Sequence, residues 1–114
     1  MNLEDDKYCL ENILDCIKHI NTYIDGIIWD RFSADEMKKD AVTMRLWVMG
    51  KFYGHLSDGI KNKIEKNNVQ RFETIVSFWT QRLEKINWES RWNFIKQDMP
   101  LLNPQLKNLL FTFR

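Results

Sequence analysis

The chain has 114 residues, of which 44% are hydrophobic and 29% charged, with a net charge of +1. That is enough for one domain with a real core, spanning 1–114, and leaves no room for a second. It also excludes a membrane-spanning chain, since no apolar run approaches the ~18 residues such a segment needs.

Four glycines and two prolines are few breakers for this length, so long helices are expected. The opening MNLEDDK is acidic and lacks the basic-then-apolar order of a signal peptide, which points to a cytoplasmic protein. From Leu3 to Ile28 apolar residues recur at helical spacing through Leu10, Ile13, Leu14, Ile17, Ile20 and Ile24, and Gly26 marks the end. Cys9 and Cys16 lie on this helix, ~10 Å apart at ~1.5 Å per residue, too far for a disulfide within the chain. Cys16 with His19 on the next turn resembles a nucleophile and its base, but no third group orients them. Two cysteines and two histidines without carboxylates at ligand spacing give no metal site, and no cofactor is implied.

Ser33-Ala-Asp-Glu36 reads as a capping box opening a second long helix. Its stripe runs through Val42, Leu46, Met49, Tyr53, Leu56, Ile60 and Ile64, and a second stripe of Met44, Trp47, Val48 and Phe52 widens the apolar face. Such width suits a central helix or one that also meets a second chain. Gly50, Gly54 and Gly59 each cost a helix interior ~1 kcal/mol, which close approach by a neighbouring helix would offset.

The polar stretch from Lys61 to Asn68 is the expected loop. A third helix follows through Val69, Phe72, Ile75, Val76, Trp79, Leu83 and Ile86. Asn87 can cap a short fourth helix bearing Trp88, Trp92, Ile95 and Met99, which Pro100 ends. Asn103-Pro104 then opens a last helix with Leu106, Leu109, Leu110 and Phe113 on its apolar face. No alternating β pattern competes. The fold class is all-α, an antiparallel bundle of about five helices.

Residues 1–60 carry seven Lys/Arg against eleven Asp/Glu, and residues 61–114 carry ten against five. The split suits two mutually attracting halves of a bundle, or a basic surface for nucleic acid. Trp79, Trp88 and Trp92 fall on apolar stripes and are expected in the core. That leaves Arg82, Lys85 and Arg91, on a solvated face, as the functional candidates of the C-terminal half.

The segments DDKYCLENILDCIKHINTYIDG, DEMKKDAVTMRLWVMGKFYGHLSDGI and SRWNFIKQDMPLL, in that order, resemble the HepT-like family of HEPN-domain proteins. The most specific pieces are Asp40-Ala41-Val42 with Gly50 eight residues on, and Trp92 to Pro100. The resemblance implies a HEPN-like homodimer paired with a minimal nucleotidyltransferase encoded beside it, as a bacterial or archaeal toxin–antitoxin system. In that family the HEPN partner is a metal-independent ribonuclease.

The family's chemistry uses an R-N-x-x-x-H-x-Y element on the third helix. Arginine clamps a phosphate and histidine serves as acid or base near neutral pH. The tyrosine is the residue its partner modifies. This chain departs from the pattern at those positions. Aligned on Phe72, Trp79, Thr80, Glu84 and Ile86 replace the four residues; aligned on Trp92, Val76, Ser77, Gln81 and Leu83 do. Neither His19 nor His55 follows an arginine by four to seven residues. No catalytic residue carries over.

The resulting expectation is a catalytically degenerate HepT-like protein that forms a homodimer and binds a nucleotidyltransferase. Arg82, Glu84, Lys85 and Arg91 are its RNA- or partner-binding candidates, and Trp47 and Phe52 its dimer surface. One alternative is an active ribonuclease with a site relocated to Arg82, Glu84 and Arg91, although residues two apart on a helix face different ways. The other is an RNA-binding module without catalysis.

Overall fold

The computed structural model describes residues 3–113. The side chains of residues 3, 4 and 83 lie outside that description, and with them the expected core places of Leu3 and Leu83. The chain is an all-α bundle. Among the described residues no helix is long and apolar enough to cross a membrane.

Helix α1 (Leu3–Ile24) buries Leu10, Ile13, Ile17, Ile20 and Ile24. The spacing of those residues by three and four puts them on one face. Gly26, at φ +70°, stops the helix in the left-handed region that glycine enters without a Cβ penalty.

A short helix α2 (Trp29–Ser33) follows, with Phe32 fully buried against Trp88 and Trp92. No periodic stripe marks this helix in the sequence. Because α2 reaches Ser33, that hydroxyl donates back to the Asp30 carbonyl at 3.1 Å and the expected capping box is not formed. Asp35 caps α3 (Glu36–His55) instead, its carboxylate accepting from the Lys38 amide at 3.0 Å.

Helices α1 and α3 form the largest interface and run antiparallel. At one end Lys38 Nζ donates to the Tyr23 carbonyl at 3.1 Å. At the other, Asp6 accepts from the Ser57 amide at 2.8 Å and from its hydroxyl at 2.6 Å.

Leu56 takes an extended conformation (ψ 143°), so α3 ends there and does not carry its stripe on to Ile64. Ser57 caps a one-turn helix α4 (Asp58–Lys61), and Leu56, Ile60 and Ile64 still turn inward. Helix α5 (Lys66–Ser77) starts inside the expected loop and buries Asn68, Phe72 and Ile75.

The third helix was expected to reach Ile86 but stops at Ser77. Two 3-10 turns (Phe78–Thr80 and Leu83–Lys85) replace its C-terminal half, with Gln81 extended between them (ψ 134°). Asn87 does cap helix α6 (Trp88–Asn93), accepting from the Ser90 amide at 2.9 Å.

Pro100 changes the helical pitch without ending the run. It has no amide to donate to the Lys96 carbonyl, and the chain passes through a π turn (Phe94–Asp98) and a 3-10 turn (Met99–Leu102). Helix α7 (Asn103–Phe111) follows directly. Asn103 lies inside its first turn and makes no capping bond, since Leu102 holds the cap position.

Candidate functional site

The segment from Phe78 to Asn87 sets the site. It leaves α5 and crosses to α6 by the two 3-10 turns, passing alongside α3. Two different arginine environments result.

Arg82 is exposed, and its Nε lies 3.5 Å from Glu84 Oε1. On a regular helix these side chains would diverge; the turn at Leu83–Lys85 brings them together. An exposed pair of this kind contributes about 0–1 kcal/mol. Lys85 is exposed beside them.

Arg91 is buried, with 2% of its surface exposed, which corrects the expectation that it lies on a solvated face. It sits on α6, whose inward face also carries Trp92. Its Nη2 donates to the Phe78 carbonyl at 2.8 Å and to Gln81 Oε1 at 2.9 Å. The guanidinium lies over the rings of Phe78, at 4.8 Å, and Trp88, at 5.2 Å.

These contacts pin the crossing segment to α6. They leave Nε without a hydrogen-bond partner, and no ion pair among the described residues includes Arg91. Burial lowers its pKa from the ordinary guanidinium value.

Beside Arg91 opens a cleft of about 430 Å³ between α3 and the crossing segment. Its walls are mainly apolar, formed by Met44, Trp47, Phe78, Trp79 and Ile86, with Gln81 and the exposed carboxylate of Asp40 also in the lining. Trp47 and Trp79 are paired, their ring centroids 6.1 Å apart.

Trp79 is not a core residue as its stripe suggested; 37% of it is exposed. Its six-membered ring meets α3 at Gly50, where a side chain would overlap it. Gly50 therefore meets a close approach, but by the Trp79 side chain on a 3-10 turn and not by the neighbouring helix that was expected. Gly54 has nothing near its missing Cβ, and Gly59 only the Ser57 hydroxyl at 3.8 Å.

Trp47 is 43% exposed on α3, together with Met44 (58%) and Met37 (83%). Phe52 is half-buried, edge-on to Tyr8 at 5.6 Å, so much of it is already covered within the chain. Trp88 and Trp92 pack inward on Phe32, at 5.9 and 4.7 Å.

Cys16 and His19 form no nucleophilic pair. Cys16 is buried and burial pushes its thiol pKa up, away from the thiolate that attacks. His19 packs near the Tyr23 ring. Cys9 and Cys16 are both free thiols. Among the described residues no three His, Cys, Asp or Glu side chains gather where they could hold a metal ion.

Asp6 and Asn68 are buried polar groups that no sequence pattern marks. Asp6 joins α1 to the start of α4, and Asn68 joins α5 to α7 by donating to Gln105 Oε1 at 2.7 Å. A lone Asp or Asn near a helix start carries no pattern that separates a tertiary bond from a solvated side chain.

Comparison of the chain with protein-family models, with curated proteins and with solved structures finds no match.

Proposed function

We propose that this chain is a catalytically degenerate HepT-like HEPN protein: a cytoplasmic helical scaffold that forms a homodimer and binds a minimal nucleotidyltransferase partner. The observation that carries the reading is the state of the segment after Ser77. The family places its arginine and histidine on a continuous helix there. In this chain the segment is two short turns, its exposed arginine is paired with Glu84, and both histidines lie elsewhere, on α1 and at the end of α3. The exposed Met37, Met44 and Trp47 on α3 support a protein-binding face.

The test is sedimentation of the purified chain alone and after co-expression with a nucleotidyltransferase encoded beside it. The reading expects a dimer that Trp47→Glu weakens, and a complex that survives purification. A monodisperse monomer that ignores the nucleotidyltransferase contradicts it.

A further inference from the structure

The cleft beside Arg91 has two properties that a merely packed loop does not need. Its walls are aromatic and partly solvent-accessible, with Trp47 and Trp79 exposed at 43% and 37%. Its one buried charge has no anionic partner among the described residues: Arg91 donates to a backbone carbonyl and a neutral amide, and its Nε has no partner there.

A buried cation without an anion is costly, and a buried donor left unpaired adds to that cost. An anionic group arriving in the cleft beside the guanidinium would offset the first. Small-ligand sites share this composition, mostly apolar walls around a few fixed polar groups within ~300–1,000 Å³.

We propose that the cleft is a binding site for a small aromatic carboxylate, its ring between the Trp47–Trp79 pair and Phe78 and its carboxylate against Arg91. Guanidinium matches a carboxylate in shape and charge. Asp40 also lines the cleft and is exposed; its charge favours a monoanion over a phosphate dianion. The cleft is built within one chain, but its Trp47 wall is shared with the proposed dimer face. Naphthoate binding and dimerisation are therefore expected to compete, and sedimentation with and without naphthoate separates failure of one reading from failure of the other.

The experiment titrates the full chain with naphthoate, naphthamide and naphthyl phosphate, following the indole N–H signals of Trp47 and Trp79 and the Nε–H of Arg91 by NMR. The neutral amide matches the carboxylate in shape, so the comparison isolates charge without altering the protein. Naphthoate is expected to shift all three signals and to bind at least about tenfold more tightly than naphthamide, the size of a charge-assisted contact.

Arg91→Lys should lose about tenfold for naphthoate and little for naphthamide. Arg91 also pins the loop, so Asp40→Asn supplies a variant outside the core. It should narrow the gap between naphthoate and naphthyl phosphate. Equal binding of amide and carboxylate by the intact chain overturns the proposal. So does a titration in which naphthoate leaves the Trp47 and Trp79 signals in place.

Discussion

Gly50 and Trp79 occupy one another's space: the indole lies where a side chain at position 50 would be. This contact holds the crossing segment onto α3 and builds one wall of the cleft. Gly50→Ala has two opposed effects. It improves helix propensity by about 1 kcal/mol, and it overpacks the indole at about 1–3 kcal/mol. In the natural chain the expected sum is destabilising or near zero, with Trp79 displaced. In a Trp79→Ala background the same substitution should stabilise by about 1 kcal/mol. Urea denaturation of the four proteins reads the cycle; the same effect in both backgrounds would show that the two residues are not coupled.

Asp6 ties the first turns of α1 to Ser57, more than fifty residues away, through the amide at 2.8 Å and the hydroxyl at 2.6 Å. The Ser57 hydroxyl in turn accepts from the Ile60 amide at 3.3 Å and caps α4. Charge-assisted bonds of this kind contribute about 1.5–3 kcal/mol, so Asp6→Ala should cost about that much. Ser57→Ala removes one bond and the cap, about 1–2 kcal/mol. The double variant should lose less than the sum. Thermal unfolding of the three variants decides; strict additivity would mean that the bonds act separately.

The class of fold was legible because it rests on periodicity, and the stripes of α1 and α3 are long enough to survive errors at their ends. What was missed rests on single residues. Leu56 continues the α3 stripe, yet it is extended because Ser57 caps a new turn and bonds to Asp6, a contact remote in sequence. Trp79 and Ile86 fit a helical period, but the helix stops at Ser77, and the buried Arg91 holds the Phe78 carbonyl and Gln81 in another path. An arginine reads as surface until its partners are known. Gly50 was a partial exception: a glycine in a helix interior allows something to come close, but Gly54 in the same helix has nothing beside it, so the residue type alone did not tell the two apart.

Gln105 is the fastener between α7 and the start of α5. Its Oε1 accepts from the Glu65 amide at 3.0 Å and from Asn68 at 2.7 Å, while its Nε2 donates to the Lys63 carbonyl at 3.0 Å. Asn68 is buried and also accepts from Arg71 at 2.8 Å. Gln105→Ala strands the Asn68 amide, at a cost of about 1–3 kcal/mol. Hydrogen exchange should speed up first at the amides of residues 65–69. Unchanged exchange there would contradict the role.

Cys9 and Cys16 should resist thiol reagents while the chain is folded. Both are buried, and burial pushes both thiols above the ordinary value of 9.0, helped at Cys9 by the carboxylates of Asp6 and Asp5. The folded chain thus holds these protons more tightly than the unfolded one. That contribution is complete below the ordinary thiol pKa and is lost as pH rises through the raised folded values. Thermal stability should therefore decline on the alkaline side, and less so in a Cys9→Ala/Cys16→Ala variant. Rapid labelling of the native protein would contradict the burial.

The proposal that this chain is a HEPN-like scaffold without ribonuclease chemistry can be tested on its chemistry. The most direct measurement is incubation of purified protein with total RNA in EDTA, which silences contaminating metal-dependent nucleases. The account predicts intact RNA even at high protein concentration. Cleavage that disappears with Arg82→Ala would contradict it and would make the segment between Phe78 and Trp88 an active centre.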